Sequence, residues 1–125
     1  MASDFLPFKK TVAALVGDSQ EFMIQQDGDI SEVTMHFPPG CSGLVDVRVL
    51  YMRGSEESFV VPSVDGQYVA LDSATPTYRN IGYPVKKNGR VRVEFENHDS
   101  LNPHTVSVQV VITAKIGVIL PKPPI

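Results

Sequence analysis

Apolar and polar residues alternate with a period of two through most of the chain. Gly, Pro, Asn or Asp breaks that alternation roughly every ten residues. Phe22 and Ile24 open the pattern as a short strand, closed by the turn Asp27-Gly28. Val33, Met35 and Phe37 then fall on one face, with Thr34 and His36 on the other, until Pro38-Pro39-Gly40 stops the strand. From 44 to 52 both faces are substantial: Val45, Val47, Val49 and Tyr51 point one way, and Leu44, Asp46, Arg48, Leu50 and Met52 the other. That predicts a central strand, or one whose outer face is partly covered.

Positions 59 to 61 and 68 to 71 read as two short strands flanking Ser63-Val64-Asp65-Gly66. Positions 78 to 85 form an extended segment broken at Gly82 and Pro84, which suits an edge or a bulge. Asn88-Gly89 is the pair that favours a type I′ turn, and it predicts a hairpin joining Val85 to Val91, Val93 and Phe95. The opposite face of that second strand carries Arg90, Arg92, Glu94 and Glu96, an alternating ion-paired solvent face. Val106, Val108, Val110 and Ile112 give the strongest strand. The sum is an all-β, antiparallel β-sandwich of about eight short strands spanning residues 20–114.

Two segments stand outside the alternation. Residues 1–19 mix Phe5, Leu6, Phe8, Val12, Leu15 and Val16 with Pro7 and Gly17, and are expected to form an N-terminal arm. Residues 115–125 are strongly apolar but end in prolines, and are expected to form a C-terminal arm. Its candidate assembly residues are Ile116, Val118, Ile119, Leu120, Pro121, Pro123, Pro124 and Ile125. Such a run is an aggregation hazard unless something covers it, and the prolines pre-extend it for docking.

Composition narrows the role. With 125 residues, 42% of them hydrophobic and 20% charged, the chain can build one sizeable core without staples. A net charge of -3 argues against nucleic acid as a partner, because such binders carry a clustered basic face. Lys86-Lys87 with Arg90 and Arg92 reads as a solvated turn. No stretch approaches the roughly 18 apolar residues of a membrane helix, so no membrane partner is expected. The run from 12 to 16 is too short for a leader, which predicts a protein made inside a cell.

No residue set points to catalysis, so the chain is not expected to be an enzyme or to carry a cofactor. Cys41 is the lone cysteine and has no identifiable His partner, which fits a packed thiol. The loop Asn97-His98-Asp99-Ser100-Leu101-Asn102-Pro103-His104 is the densest polar cluster. Its two histidines, with His36, could offer metal ligands, but the same residues make turns by bonding their own backbone. Asp27-Gly28-Asp29 and Asp65-Gly66 lack the continuation of a calcium loop. Tyr51, Tyr68, Tyr78 and Tyr83 could stack on a sugar, although tryptophan is absent.

The motif order, from the stretch opening Phe37-Pro-Pro-Gly, through Tyr68-Val-Ala-Leu-Asp72, to Val93-Glu-Phe-Glu-Asn-His-Asp, resembles small phage and environmental virus proteins with a jelly-roll-like sandwich. The likeness spans about residues 30–112. It implies a virion structural protein, either a capsid decoration (cement) protein or a minor capsid component. It would be made in the host cytoplasm, form a trimer or other homo-oligomeric ring, and contact a major capsid protein. A carbohydrate- or host-surface-binding module, of the fibre or adhesin kind, is the alternative.

Overall fold

A computed structural model describes residues 3–114, and among these the chain is all-β with no helix. The candidate C-terminal arm residues, from Ile116 to Ile125, lie outside the described part. Nine strands run in order: β1 (Ser3–Val12), β2 (Gly17–Met23), β3 (Gly28–His36), β4 (Val45–Arg53), β5 (Glu56–Val61), β6 (Thr77–Tyr78), β7 (Tyr83–Val85), β8 (Arg90–Asn97) and β9 (His104–Ala114). They divide into two antiparallel sheets. One has the order β1-β9-β3-β6, with β7 also pairing β3, and the other has β2-β8-β4-β5.

The two sheets face each other across one core, to which each contributes the rows that the alternation predicts. Val33, Met35 and Phe37 are inward and buried, as are Val45, Val47 and Val49, and Val106, Val108, Val110 and Ile112. β4 is central, between β8 and β5. Its outward Leu50 is also fully buried, lying in register between Arg92 on β8 and Phe59 on β5. A bulge at Ser31 shifts β3 by one residue, which lets both Ile30 and Val33 face the core.

Residues 3–19 depart from the expected N-terminal arm. β1 pairs along its whole length with β9, and β2 pairs with β8. Phe8 and Val12 are buried in the core, so this segment helps to make the sandwich. Pro7 is tolerated because β1 borders its sheet, where a missing N–H costs no ladder bond.

The Asn88-Gly89 hairpin is a second departure. β7 pairs with β3 and β8 with β2 and β4, so the turn carries the chain from one sheet to the other. The Gly89 N–H donates to the Lys86 carbonyl at 3.0 Å, and Asn88 has a positive φ of 72°. Gly89 itself does not take that conformation. Its role is close approach: a Cβ there would lie 2.7 Å from Cε1 of Tyr51, whose hydroxyl accepts the Lys86 N–H at 3.0 Å. Positions 68 to 71, expected as a strand, contribute one bridge, Val69 to Val47. The expected segment from 78 to 85 is two short pieces, β6 and β7, both on the edge of β3.

Candidate functional site

The outward face of the second sheet carries an open groove of about 300 Å³. It is lined by Gly17, Asp18 and Ser19 of β2, by Arg92, Glu94, Phe95 and Glu96 of β8, and by Tyr68. Alternation builds its floor, because Val91, Val93 and Phe95 point into the core and leave Arg92, Glu94 and Glu96 outward. Register then sets Ser19 beside Glu94, with Arg48 of β4 on the other side.

Tyr68 arrives from the other edge. The Val69–Val47 bridge points Val69 inward and leaves Tyr68 above the sheet, by the same alternation. There the Arg48 guanidinium sits 4.7 Å from the Tyr68 ring centroid and 4.9 Å from that of Phe59. Arg48 Nε also pairs with Glu94 Oε1 at 2.6 Å. The ring is therefore held by a cation that is itself anchored.

Charges around the groove are matched in pairs. Lys10 stands 3.5 Å from Asp18 and Arg90 3.0 Å from Glu21, while Glu96 has only His98, 3.9 Å away and charged only when protonated. Arg92 is the exception in detail. Its Nε is closed off from solvent and has no hydrogen-bond partner among the described residues. Carboxylates of Glu21 and Glu94 stand 3.7 and 3.5 Å away, near enough for attraction but not in bonding geometry.

The histidines do not converge as one metal site. His36 Nδ1 meets the Thr75 hydroxyl at 2.8 Å, His104 Nε2 meets Asp99 at 2.7 Å, and His98 Nε2 meets Asp46 at 2.9 Å. The structure instead groups His98 with Asp46 and Glu96, whose ligand atoms all lie within 4.8 Å of one another. Glu96 lies near the end of β8 with Asp46 as its cross-strand partner, and His98 follows two residues later, just past the strand. This set, invisible when only histidines are counted, offers one nitrogen and two carboxylate oxygens to a divalent cation.

Asp99 organises the loop at the end of β8. Its carboxylate accepts the backbone N–H groups of Leu101 and Asn102 at 2.9 and 3.2 Å, together with the His104 contact. The Leu101 N–H bond, then the His104 contact, hold its pKa well below the usual 3.8, at about 2. A depressed carboxyl pKa stabilises the fold above its ordinary value and loses that contribution as pH falls toward the folded value. The amide resonances of Leu101 and Asn102 should therefore titrate with a midpoint near pH 2. A midpoint at the ordinary carboxyl value would rule out this anchoring.

That loop belongs to the end of the sandwich that carries five of the eight exposed large apolar side chains among the described residues. The Leu15 N–H donates to the Asp99 carbonyl at 3.1 Å, the His98 N–H to Leu44 at 2.8 Å, and the Gly43 N–H to Leu71 at 3.3 Å. These bonds bring together the β1–β2, β3–β4, β5–β6 and β8–β9 connections. Leu101 is 82% exposed, Leu15 68% and Val16 44%, with Leu44 and Leu71 partly exposed beside them. Leu15 sits at a positive φ of 59°, a conformation that L-residues adopt at a cost. Asn97, almost fully buried, ties this end together: its Nδ2 donates to the carbonyls of Val12, Ala13 and Asn102.

Apart from Tyr68, the remaining expected candidates make structural contacts. Cys41 is buried, and that burial, with Asp72 nearby, pushes its thiol pKa up, away from the reactive thiolate. Asp27 accepts the Lys87 N–H at 2.9 Å and caps the turn between the sheets. Of the four tyrosines, Tyr51 and Tyr83 pack against each other with centroids 5.9 Å apart, Tyr78 packs on the core, and Tyr68 alone lines the groove.

No family model matches the chain, and no curated protein does. Among solved structures, that of FlhE is similar with a TM-score of 0.47 at 14% identity, covering 90% of this chain and 96% of that one. A serine protease of Aeromonas sobria is similar with a TM-score of 0.40 at 11% identity, covering 90% of this chain. The chain spans 28% of that protease's length. Neither likeness carries an argument about what this chain does.

Proposed function

We propose that this protein is a virion structural component, a capsid decoration (cement) or minor capsid subunit that works by assembly. The observation that carries the reading is the apolar end of the sandwich, where Leu15, Val16, Leu44, Leu71 and Leu101 are presented on loops locked together by backbone hydrogen bonds. A surface of that kind, exposed and held rigid, is characteristic of contacts between proteins. Fully burying one Leu side chain is worth about 1.5–3 kcal/mol before association costs. A few such residues repeated around a closed ring make a stable lattice contact through multivalency.

Strand order supports the finer reading of the sandwich as a jelly roll. The chain passes between the sheets so that β1 and β2 lie beside β9 and β8, while β3 and β4 lie beside the same two strands on their other edges. An antiparallel ribbon rolled on itself gives that nesting, which viral capsid domains share with lectins and cupins. The resemblance of its motifs to virus particle proteins favours the first of these in our reading. In this proposal the apolar segment from Ile116 to Ile125 serves as an arm laid across a neighbouring subunit of a trimer or other ring, on a lattice of major capsid protein. Banding of the protein with virus particles on a density gradient tests the reading, and its absence from purified particles would refute it.

A further inference from the structure

We propose that the groove on the outward face of the second sheet binds a neutral glycan, with Tyr68 as the stacking ring and Ser19, Arg92, Glu94 and Glu96 as the hydroxyl-binding groups. This goes beyond the assembly role and stands or falls separately from it, because the groove lies on the sheet face and the apolar surface lies on the loops at its end.

Sugar recognition needs three things together: a fixed aromatic face for the C–H side of the ring, fixed polar groups for the hydroxyls, and room for both. Arg48 fixes the Tyr68 ring from one side, and Glu94 fixes Arg48. The polar groups stand on paired β-strands, where ladder hydrogen bonds hold their backbone. The volume of about 300 Å³ is at the lower end for small-molecule sites and suits one or two sugar rings.

Charge matching selects the ligand class. Asp18, Glu21 and Glu94 each have a lysine or arginine beside them, whereas Glu96 has only His98, which is charged only when protonated. An anionic ligand, or a cationic one at those three carboxylates, would find its counter-charge already engaged. A hydroxyl, which donates and accepts at once, can give its hydrogen to Glu94 or Glu96 and take one from Arg92. The Arg92 guanidinium already reaches Ser19 Oγ at 3.4 Å, while its Nε stays unsatisfied.

The test is an amide-shift titration of the intact protein with lactose, cellobiose and N,N′-diacetylchitobiose, with sialyllactose as the charged comparison. At least one neutral disaccharide should shift the amides of residues 17–19, 68 and 92–96 with a Kd of about 1 mM or tighter. Tyr68→Leu, which keeps bulk but removes the ring, should weaken that binding by about tenfold. Ser19→Phe, which fills the groove from a border strand, should abolish it and decides the matter if Tyr68→Leu disturbs Arg48. Double substitution of Leu15 and Leu101 by Ser should leave it unchanged. Silence from all three neutral sugars, shifts outside the groove, binding of sialyllactose alone, or binding that survives Ser19→Phe would each overturn the proposal.

Discussion

Asn97→Ala should destabilise the protein by about 3–4 kcal/mol, among the largest effects of any single polar substitution in the chain. The residue is 1% exposed and holds three carbonyls, at 3.0 Å that of Val12 at the end of β1, at 3.3 Å that of Ala13 just after it, and at 3.0 Å that of Asn102 in the β8–β9 connection. Its Oδ1 also accepts the Asp99 N–H at 2.9 Å. Truncation leaves these groups without partners next to the core, where each unsatisfied group costs roughly 1–3 kcal/mol unless water reaches it. Asn97→Asp keeps the size and the acceptor but sets a carboxylate against three carbonyl oxygens, so it should be at least as damaging. Urea unfolding reads the effect as a lower midpoint at unchanged slope. A loss below about 1 kcal/mol for both variants would mean that the loops hold together without this residue.

Gly28→Ala should cost about 3 kcal/mol, for a reason unrelated to φ. At Gly28 a Cβ would lie 2.4 Å from the Thr113 carbonyl oxygen and 3.1 Å from Ile112 Cγ2. The first contact is with backbone of the paired strand β9, so it can be relieved only by moving β3 and β9 apart. Gly66 makes the control: it has a φ of +80° and open space around it, so an alanine there meets conformational strain alone. That strain is worth about 1–2 kcal/mol. Thermal unfolding of the two variants should rank Gly28→Ala clearly below Gly66→Ala. The reverse order would mean that β3 and β9 yield more easily than their shared ladder implies.

The inward rows were legible because their side chains obey a strict period of two. Val106 through Ile112 and Val45 through Val49 need no tertiary knowledge to be read as half of a core. β1 was not legible because Asp4 and Lys10 occupy inward-phase positions beside Leu6, Phe8 and Val12, and because Pro7 interrupts them. The edge position that makes Pro7 harmless is a property of the sheet. Likewise, Asn88-Gly89 announces a turn, but nothing local says whether the strands on either side pair with each other or join opposite sheets. The groove was legible only as its parts. The alternating charges of β8 were plain, whereas the pairing of Ser19 with Glu94 and the placing of Tyr68 over Arg48 depend on contacts between distant segments. His98 shows the same limit, since its partners Asp46 and Glu96 come from register and not from spacing between histidines.

The apolar loop end is the feature on which the assembly account depends. The most direct measurement is density-gradient banding of virus particles formed with the intact protein, beside particles formed with a folded Leu15→Ser, Leu101→Ser variant. The account predicts that the intact protein bands with the particles while the variant, unchanged in its unfolding midpoint, stays in the soluble fraction. An intact protein that remains wholly soluble, or a variant that bands as well as the original, would contradict it.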